Sequence, residues 1–330
     1  MSPLFGHDGA VAAFREGMAS GRMHHAWLIA GPEGVGKGLF ARKAALRLLA
    51  EAADPAIDLD GVDGLDVPEA HPTAKLVQAG SHPDLMRLER LPREDSGELA
   101  RNITVDQVRS LQRLFTTTPS MSPRRVVIID SADDLERNAA NALLKNLEEP
   151  PPLSLFLLIS HAPGRLLPTI RSRCRQLRLA PLAADAMTSA LRAALPDADE
   201  KEINSLCGVG EGCPGRALAF RGLDIDALDR SMEEIARSGD RTNARRSALA
   251  QSLALKAAQP RYEAFLRRAP SLIAARARER RGRALAEALG LWERAQDLAG
   301  SALRLSLDPQ SVVFELAGML AALAPRQADG

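Results

Sequence analysis

The chain has 330 residues, of which 45% are apolar, 26% charged and only 3% aromatic. That length supports two or three domains and excludes one small one, and the scarcity of aromatics beside abundant Ala, Leu and Arg favours helix. A balance of 43 basic against 42 acidic residues, net +1, excludes a globally basic nucleic-acid binder and leaves room only for a local basic stripe.

In chain order, residues 8–19 read as a helix capped by Asp8, followed by a short apolar strand from His25 to Ala30 and a glycine-rich turn from Gly31 to Gly38. The next helix carries Ala41, Ala45, Leu46 and Leu49, after which residues 53–83 turn rich in Asp, Pro and Gly and read as a loop insertion. A strand is expected from Asp84 to Leu88. Thr104-Val-Asp-Gln107 matches a capping box that opens a helix to about Thr116. Arg125-Val-Val-Ile-Ile-Asp130 holds four successive β-branched residues, the mark of a strand buried on both faces, and sets Asp130 at its carboxyl end, where open parallel sheets bind ligands.

Residues 134–149 follow as a helix stopped by Pro150-Pro-Pro152, then a strand from Leu153 to Ser160, a short helix around Leu166 to Arg171 and a strand from Cys174 to Leu179. This alternation predicts an open parallel sheet with helices on both sides, ending near residue 180. Beyond it no strand is expected. Residues 181–223 read as a small helical domain and 224–330 as a larger one, with Leu285, Leu289 and Trp292 as an amphipathic stripe. The fold class is α/β plus all-α.

Gly31-Pro32-Glu33-Gly34-Val35-Gly36-Lys37 fits the first seven positions of a P-loop, in which backbone N–H groups surround phosphate oxygens at a helix N-terminus and the lysine pairs with the terminal phosphates. The eighth position requires a magnesium-holding hydroxyl and instead carries Gly38. Asp130 is followed by Ser131, where an ATPase with an Asp-Glu pair has the carboxylate that polarises the attacking water. Asp133 and Asp134 stand past the strand end and read as helix N-caps. These substitutions predict weak or absent hydrolysis and leave two readings open, a loop that still holds ATP or ADP and a loop kept only as a fold element.

A second cluster of chemistry lies at Ser172-Arg173-Cys174, within the basic run Arg165, Arg171, Arg173, Arg175 and Arg178. This tripeptide is similar to the Ser-Arg-Cys motif of AAA+ clamp-loader subunits. Asp130-Ser-Ala-Asp-Asp-Leu135, Asn138-Ala-Ala-Asn-Ala-Leu-Leu-Lys-Asn-Leu-Glu-Glu-Pro-Pro151, Gly80-Ser-His-Pro-Asp-Leu85 and Gly212-Cys-Pro-Gly-Arg-Ala-Leu218 resemble segments of the delta-prime type of that family, from residue 4 to about 220. The resemblance implies a RecA-like AAA+ P-loop domain, a helical lid and a C-terminal collar in a five-membered ring with gamma or tau and delta, which opens the sliding clamp on primed DNA within the DNA polymerase III holoenzyme. It further implies that Arg173 reaches into a neighbour's ATP site as an arginine finger. Ser160 or His161 stands at the sensor-one position and Arg216 at the sensor-two position.

Clamp-loader subunits often carry a four-cysteine zinc module; the three cysteines here, Cys174, Cys207 and Cys213, lack its paired spacing, and no zinc is expected. His71 and His82 are too isolated to replace it. Cysteine usage, the absence of a leader-like start and the lack of a membrane-length apolar run lead to the expectation of a cytoplasmic protein. An active gamma- or tau-type ATPase would need Ser or Thr at 38 and Glu at 131, and a helicase-type AAA+ motor would also keep that glutamate. A P-loop kinase gives no reason for the helical tail. Arg276, Arg278, Arg280, Arg281 and Arg283 form a possible DNA-contacting helix, but Glu279 and Glu287 interrupt them, and a solvated face is the expected reading.

Overall fold

The computed structural model describes residues 2–54, 64–93, 97, 99–303 and 305–324. The first compact unit runs to Ala219 and the second begins at Phe220. The first opens with α1 (Asp8–Ala19), β1 (Ala26–Ala30) and α2 (Lys37–Ala53), then α3 (Pro72–Gln78), β2 (Leu85–Glu89), α4 (Val105–Thr116) and β3 (Arg125–Asp130). It continues through α5 (Arg137–Glu148), β4 (Ser154–Ser160), α6 (Pro168–Arg171), β5 (Arg175–Arg178), α7 (Ala184–Ala194), α8 (Glu200–Gly210) and α9 (Pro214–Ala219).

The five strands form one parallel sheet in the order β2-β3-β4-β1-β5. Parallel strands need crossovers, which place helices over both faces, so the central strands read as unbroken apolar runs. The pleat divides them between two cores. Trp27, Ile29, Val126, Ile128, Leu155 and Leu157 pack with Phe14 of α1 and Phe40 of α2, while Leu28, Val127, Ile129, Phe156 and Leu158 pack with Val108 of α4 and Leu143 of α5. At one edge β5 exposes Arg175, Gln176 and Arg178 and buries only Leu177, the charged pattern that discourages further strand pairing.

Asp84 is a structural anchor the sequence did not mark. It is 2% exposed, and its carboxylate accepts the backbone N–H groups of Ser120, Met121 and Ser122, at 3.0, 2.9 and 3.1 Å. That fixes the turn into β3 against the start of β2.

Several expectations are corrected. The N-cap of α1 is His7, and Asp8 lies in the first turn, where its charge suits the helix dipole without making a cap bond. Within 53–83, expected as a loop, Pro72–Gln78 is helical and capped by His71, whose ring accepts from the Thr73 N–H; residues 55–63 lie outside the described residues. The helix expected from 134 begins at Arg137, after a 3-10 turn over Ala132–Asp134. The capping box at Thr104 and Gln107 is present as expected.

Among its described residues the second unit is all helical: α10 (Ile225–Ser238), α11 (Ala244–Leu253), α12 (Gln259–Arg278), α13 (Gly282–Ala302) and α14 (Pro309–Ala321). The boundary read at 180 falls inside the first unit, which keeps α7–α9. In α13 the buried face is Ala288, Leu291 and Ala295; Leu285 and Trp292 are half-buried and Leu289 is exposed, so the stripe read from large residues is displaced from the core. Small residues bury that face because α12 and α14 both pack on α13. Along the arginine-rich stretch, Arg276 pairs with Glu233 and Glu279, Arg283 with Glu287, and Arg280 donates to the Leu323 carbonyl.

Candidate phosphate site and arginine corner

Register brings the carboxyl ends of β1, β3 and β4 together. Ala30 is opposite Ser160 and Ile129 opposite Leu158, so the glycine-rich loop, Asp130 and His161 meet at one rim of the sheet. There they line a cavity of about 390 Å³, with Leu4, Phe5, Leu182 and Ala190 supplying apolar wall. Gly34 and Gly36 hold φ of 79° and 113°, conformations that L side chains rarely adopt. A Cβ on Gly34 would also strike the Arg216 nitrogen at 2.4 Å, because the Gly215 N–H donates to the Gly34 carbonyl at 2.8 Å and holds the start of α9 on the loop. From the other side His7 Nε2 lies 3.0 Å from the Val35 carbonyl.

Lys37 is 3% exposed, and its ammonium donates to the Gly31 and Pro32 carbonyls, both at 2.6 Å. Burial pushes its pKa down to about 8, against the opposing pull of Asp133 and Glu33. His161, beside it, is lowered by burial and then by the Lys37 charge.

The acids divide their roles in a way the sequence did not show. Asp130 Oδ2 accepts from Arg87 Nη2 at 2.9 Å. Asp133, read as a helix cap, instead accepts from Ser160 Oγ at 2.9 Å, His161 N–H at 2.6 Å and Ala162 N–H at 3.2 Å, tying the end of β3 to the end of β4. Asp134 accepts from Ser131 Oγ at 3.4 Å, and burial raises its pKa. Neither Asp133 nor Asp134 caps α5: its N-cap is Glu136, whose carboxylate accepts from the Val105 N–H. Ser160 is therefore occupied with Asp133, and Arg216 turns to Glu211 at 2.7 Å.

Gly38 is not required by packing. A Cβ there would meet Asp130 Oδ2 at 3.4 Å and Arg42 Nη1 at 3.8 Å, ordinary contacts that leave room for a hydroxyl-bearing side chain. What this loop offers is amide groups, a withdrawn lysine and an acid already paired with a guanidinium. It has no hydroxyl and no second acid for hydrolysis.

Ser172-Arg173-Cys174 precedes β5 and therefore sits at the opposite rim. Trp27 and Arg175 are in register near the amino ends of their strands, and Ala30 is opposite Arg178 at the carboxyl ends. Three residue steps of strand separate the two rims by about 10 Å. Cys174 is buried in the α5 side of the core, which pushes its thiol up to about 12, and it pins the corner. Arg173 faces outward, 35% exposed, donating to the Thr169 carbonyl at 3.0 Å and pairing with Glu148 at 2.9 Å. It is not among the residues lining the loop cavity.

The family model described as DNA polymerase III, delta subunit matches residues 6–183. The chain belongs to this family. It is 38% identical to DNA polymerase III subunit delta' of Pseudomonas aeruginosa over 61% of this chain and 57% of that one, and 37% identical to subunit delta' of Bacillus subtilis over 52% and 46%. It is also 32% identical to subunit tau of Escherichia coli over 53% of this chain and 25% of tau. The matched stretches span about half the length of these delta' relatives, and the family match takes in the phosphate loop and all five strands of the sheet.

Proposed function

We propose that the chain is a clamp-loader subunit of the delta-prime type that assembles with gamma or tau and delta, acts on the sliding clamp and primed DNA only through that assembly, and lends Arg173 to a neighbour's ATP site. The observation that carries this is the placement of Arg173 at the rim of the sheet opposite its own loop. A guanidinium there is poorly placed to serve its own chain's phosphates, while its outward position on a core-pinned corner suits it to a neighbour's. A loop with no metal-side hydroxyl at 38 and no second acid at 131 supports a non-hydrolysing role for the chain itself. In this reading α7–α9 form a lid and α10–α14 a collar, and the protein works in the cytoplasm.

The rival reading, a gamma- or tau-type ATPase, draws on the likeness to tau but requires groups at 38 and 131 that this sequence lacks. Reconstitution with candidate gamma, delta and clamp subunits tests the proposal. Arg173→Ala is expected to leave assembly intact and to slow the partner's ATP hydrolysis; an unchanged rate, or robust turnover by this chain alone, would refute it.

A further inference from the structure

P-loop folds imply a magnesium ion between the hydroxyl after the loop lysine, the acid of the third strand and the nucleotide's phosphates. The residues present do not fit it. Position 38 offers no ligand atom. The carboxylate oxygen facing that position, Asp130 Oδ2, is already engaged by Arg87 at 2.9 Å, with Arg87 also 2.8 Å from Glu89. Arg42 follows Gly38 by one helical turn and brings Nη1 within 3.8 Å of where a Cβ at 38 would stand. Arg42 and Asp130 both line the cavity. A divalent cation brought to this corner meets two positive groups and a carboxylate already paired with one of them. Phosphate oxygens would meet the Arg42 guanidinium as a donor, with Arg87 behind it offsetting the charge of Asp130.

We infer that this loop takes a phosphate-bearing ligand, a nucleoside diphosphate by the size and apolar wall of the cavity, without a divalent cation, and that Arg42 and Arg87 balance Asp130 where the ion would stand. The inference rests on the loop being a phosphate site and is independent of Arg173 acting in a partner, so the two stand or fall separately.

The test uses the full chain and a fluorescent ADP analogue, titrated once in EDTA and once in excess magnesium, with free Mn²⁺ followed by electron paramagnetic resonance. Affinity in magnesium no higher than in EDTA is expected, since magnesium complexes free ADP and competes with the site, and the protein should take up no Mn²⁺ beyond what the nucleotide itself holds. Arg42→Met should weaken the analogue by about tenfold or more, and Arg87→Gln, on an exposed strand edge and safer for folding, by several-fold. Asp130→Asn should tighten binding, since it removes a negative charge beside the phosphates, whereas a metal-dependent site would lose affinity. Magnesium-dependent tightening of tenfold or more would overturn the inference, as would Mn²⁺ uptake abolished by Asp130→Asn, or failure of the analogue to bind in either buffer.

Discussion

The two rims of one sheet carry opposite kinds of arginine. At the carboxyl rim, Arg87 is spent on Asp130 and Glu89 and, with Arg42 near that acid, stands beside the place where a loop of this type usually meets a metal. At the amino rim, Arg173 pairs with Glu148 at the surface and donates to a carbonyl of its own short helix. The difference is one of commitment. The two guanidinium groups are similarly exposed and their partners differ: Asp130 is half-buried, while Glu148 is open to solvent, and pairs of the latter kind are worth about 0–1 kcal/mol and are exchanged readily for a stronger anionic partner.

The largest effect should come from breaking the outward arginine. Arg173→Ala is expected to lower the partner subunit's kcat in a reconstituted loader by about 10³-fold or more, while urea unfolding of the isolated chain shifts by less than about 1 kcal/mol. Arg173→Lys should not restore the rate, because an ammonium cannot present the planar fork. A comparable loss of stability and rate together would make Arg173 a structural residue and erase the contrast between the rims.

Next in size is the frame of the carboxyl rim. Asp133→Ala removes three hydrogen bonds between the ends of β3 and β4, and should cost about 2–4 kcal/mol in urea unfolding without touching Arg173. If the loop and the corner are independent, partner ATPase measured below the variant's unfolding transition stays near the parent's.

A smaller effect is a pH signature of Lys37. Its folded pKa of about 8 lies below its ordinary value of 10.5, so the unfolded chain binds the extra proton between those limits and stability rises with pH across that window. Thermal unfolding from pH 8 to 10.5 should show this rise, and Lys37→Met should flatten it; an unchanged slope would place the ammonium in solvent. Smallest of all is Gly38→Ser, which has room and should stabilise α2 by about 0.5 kcal/mol in urea unfolding. It should not give the chain ATP turnover in a steady-state assay, since Asp130 stays paired with Arg87 and Ser131 remains.

Much of this architecture was legible in advance. The strand from Arg125 to Asp130, the capping box at Thr104 and the loop from Gly31 to Gly38 are local statements, written in β-branched runs, side-chain to backbone reach and glycine spacing. The misreadings were non-local. Asp133 and Asp134 looked like caps because acids before a helix usually are, and only the adjacency of β3 and β4 gave Asp133 three other donors. Leu285, Leu289 and Trp292 outranked Ala288 and Ala295 by hydrophobicity, yet close helix packing put the small residues inside. His7 carried no signal at all, since its partner is a carbonyl 28 positions away.

The sequence by itself determined that this chain folds as a parallel P-loop sheet with a helical remainder, and that its loop lacks a hydroxyl and a second acid; these depend on residue type and spacing along one segment. Only the tertiary structure decided what stands in for them. Strand order placed β2 beside β3 and so brought Arg87 to Asp130, and it placed β5 beside β1 and so set Arg173 at the far rim. Pairing between strands distant in sequence is governed by how whole elements pack, and no pattern within a single segment records it.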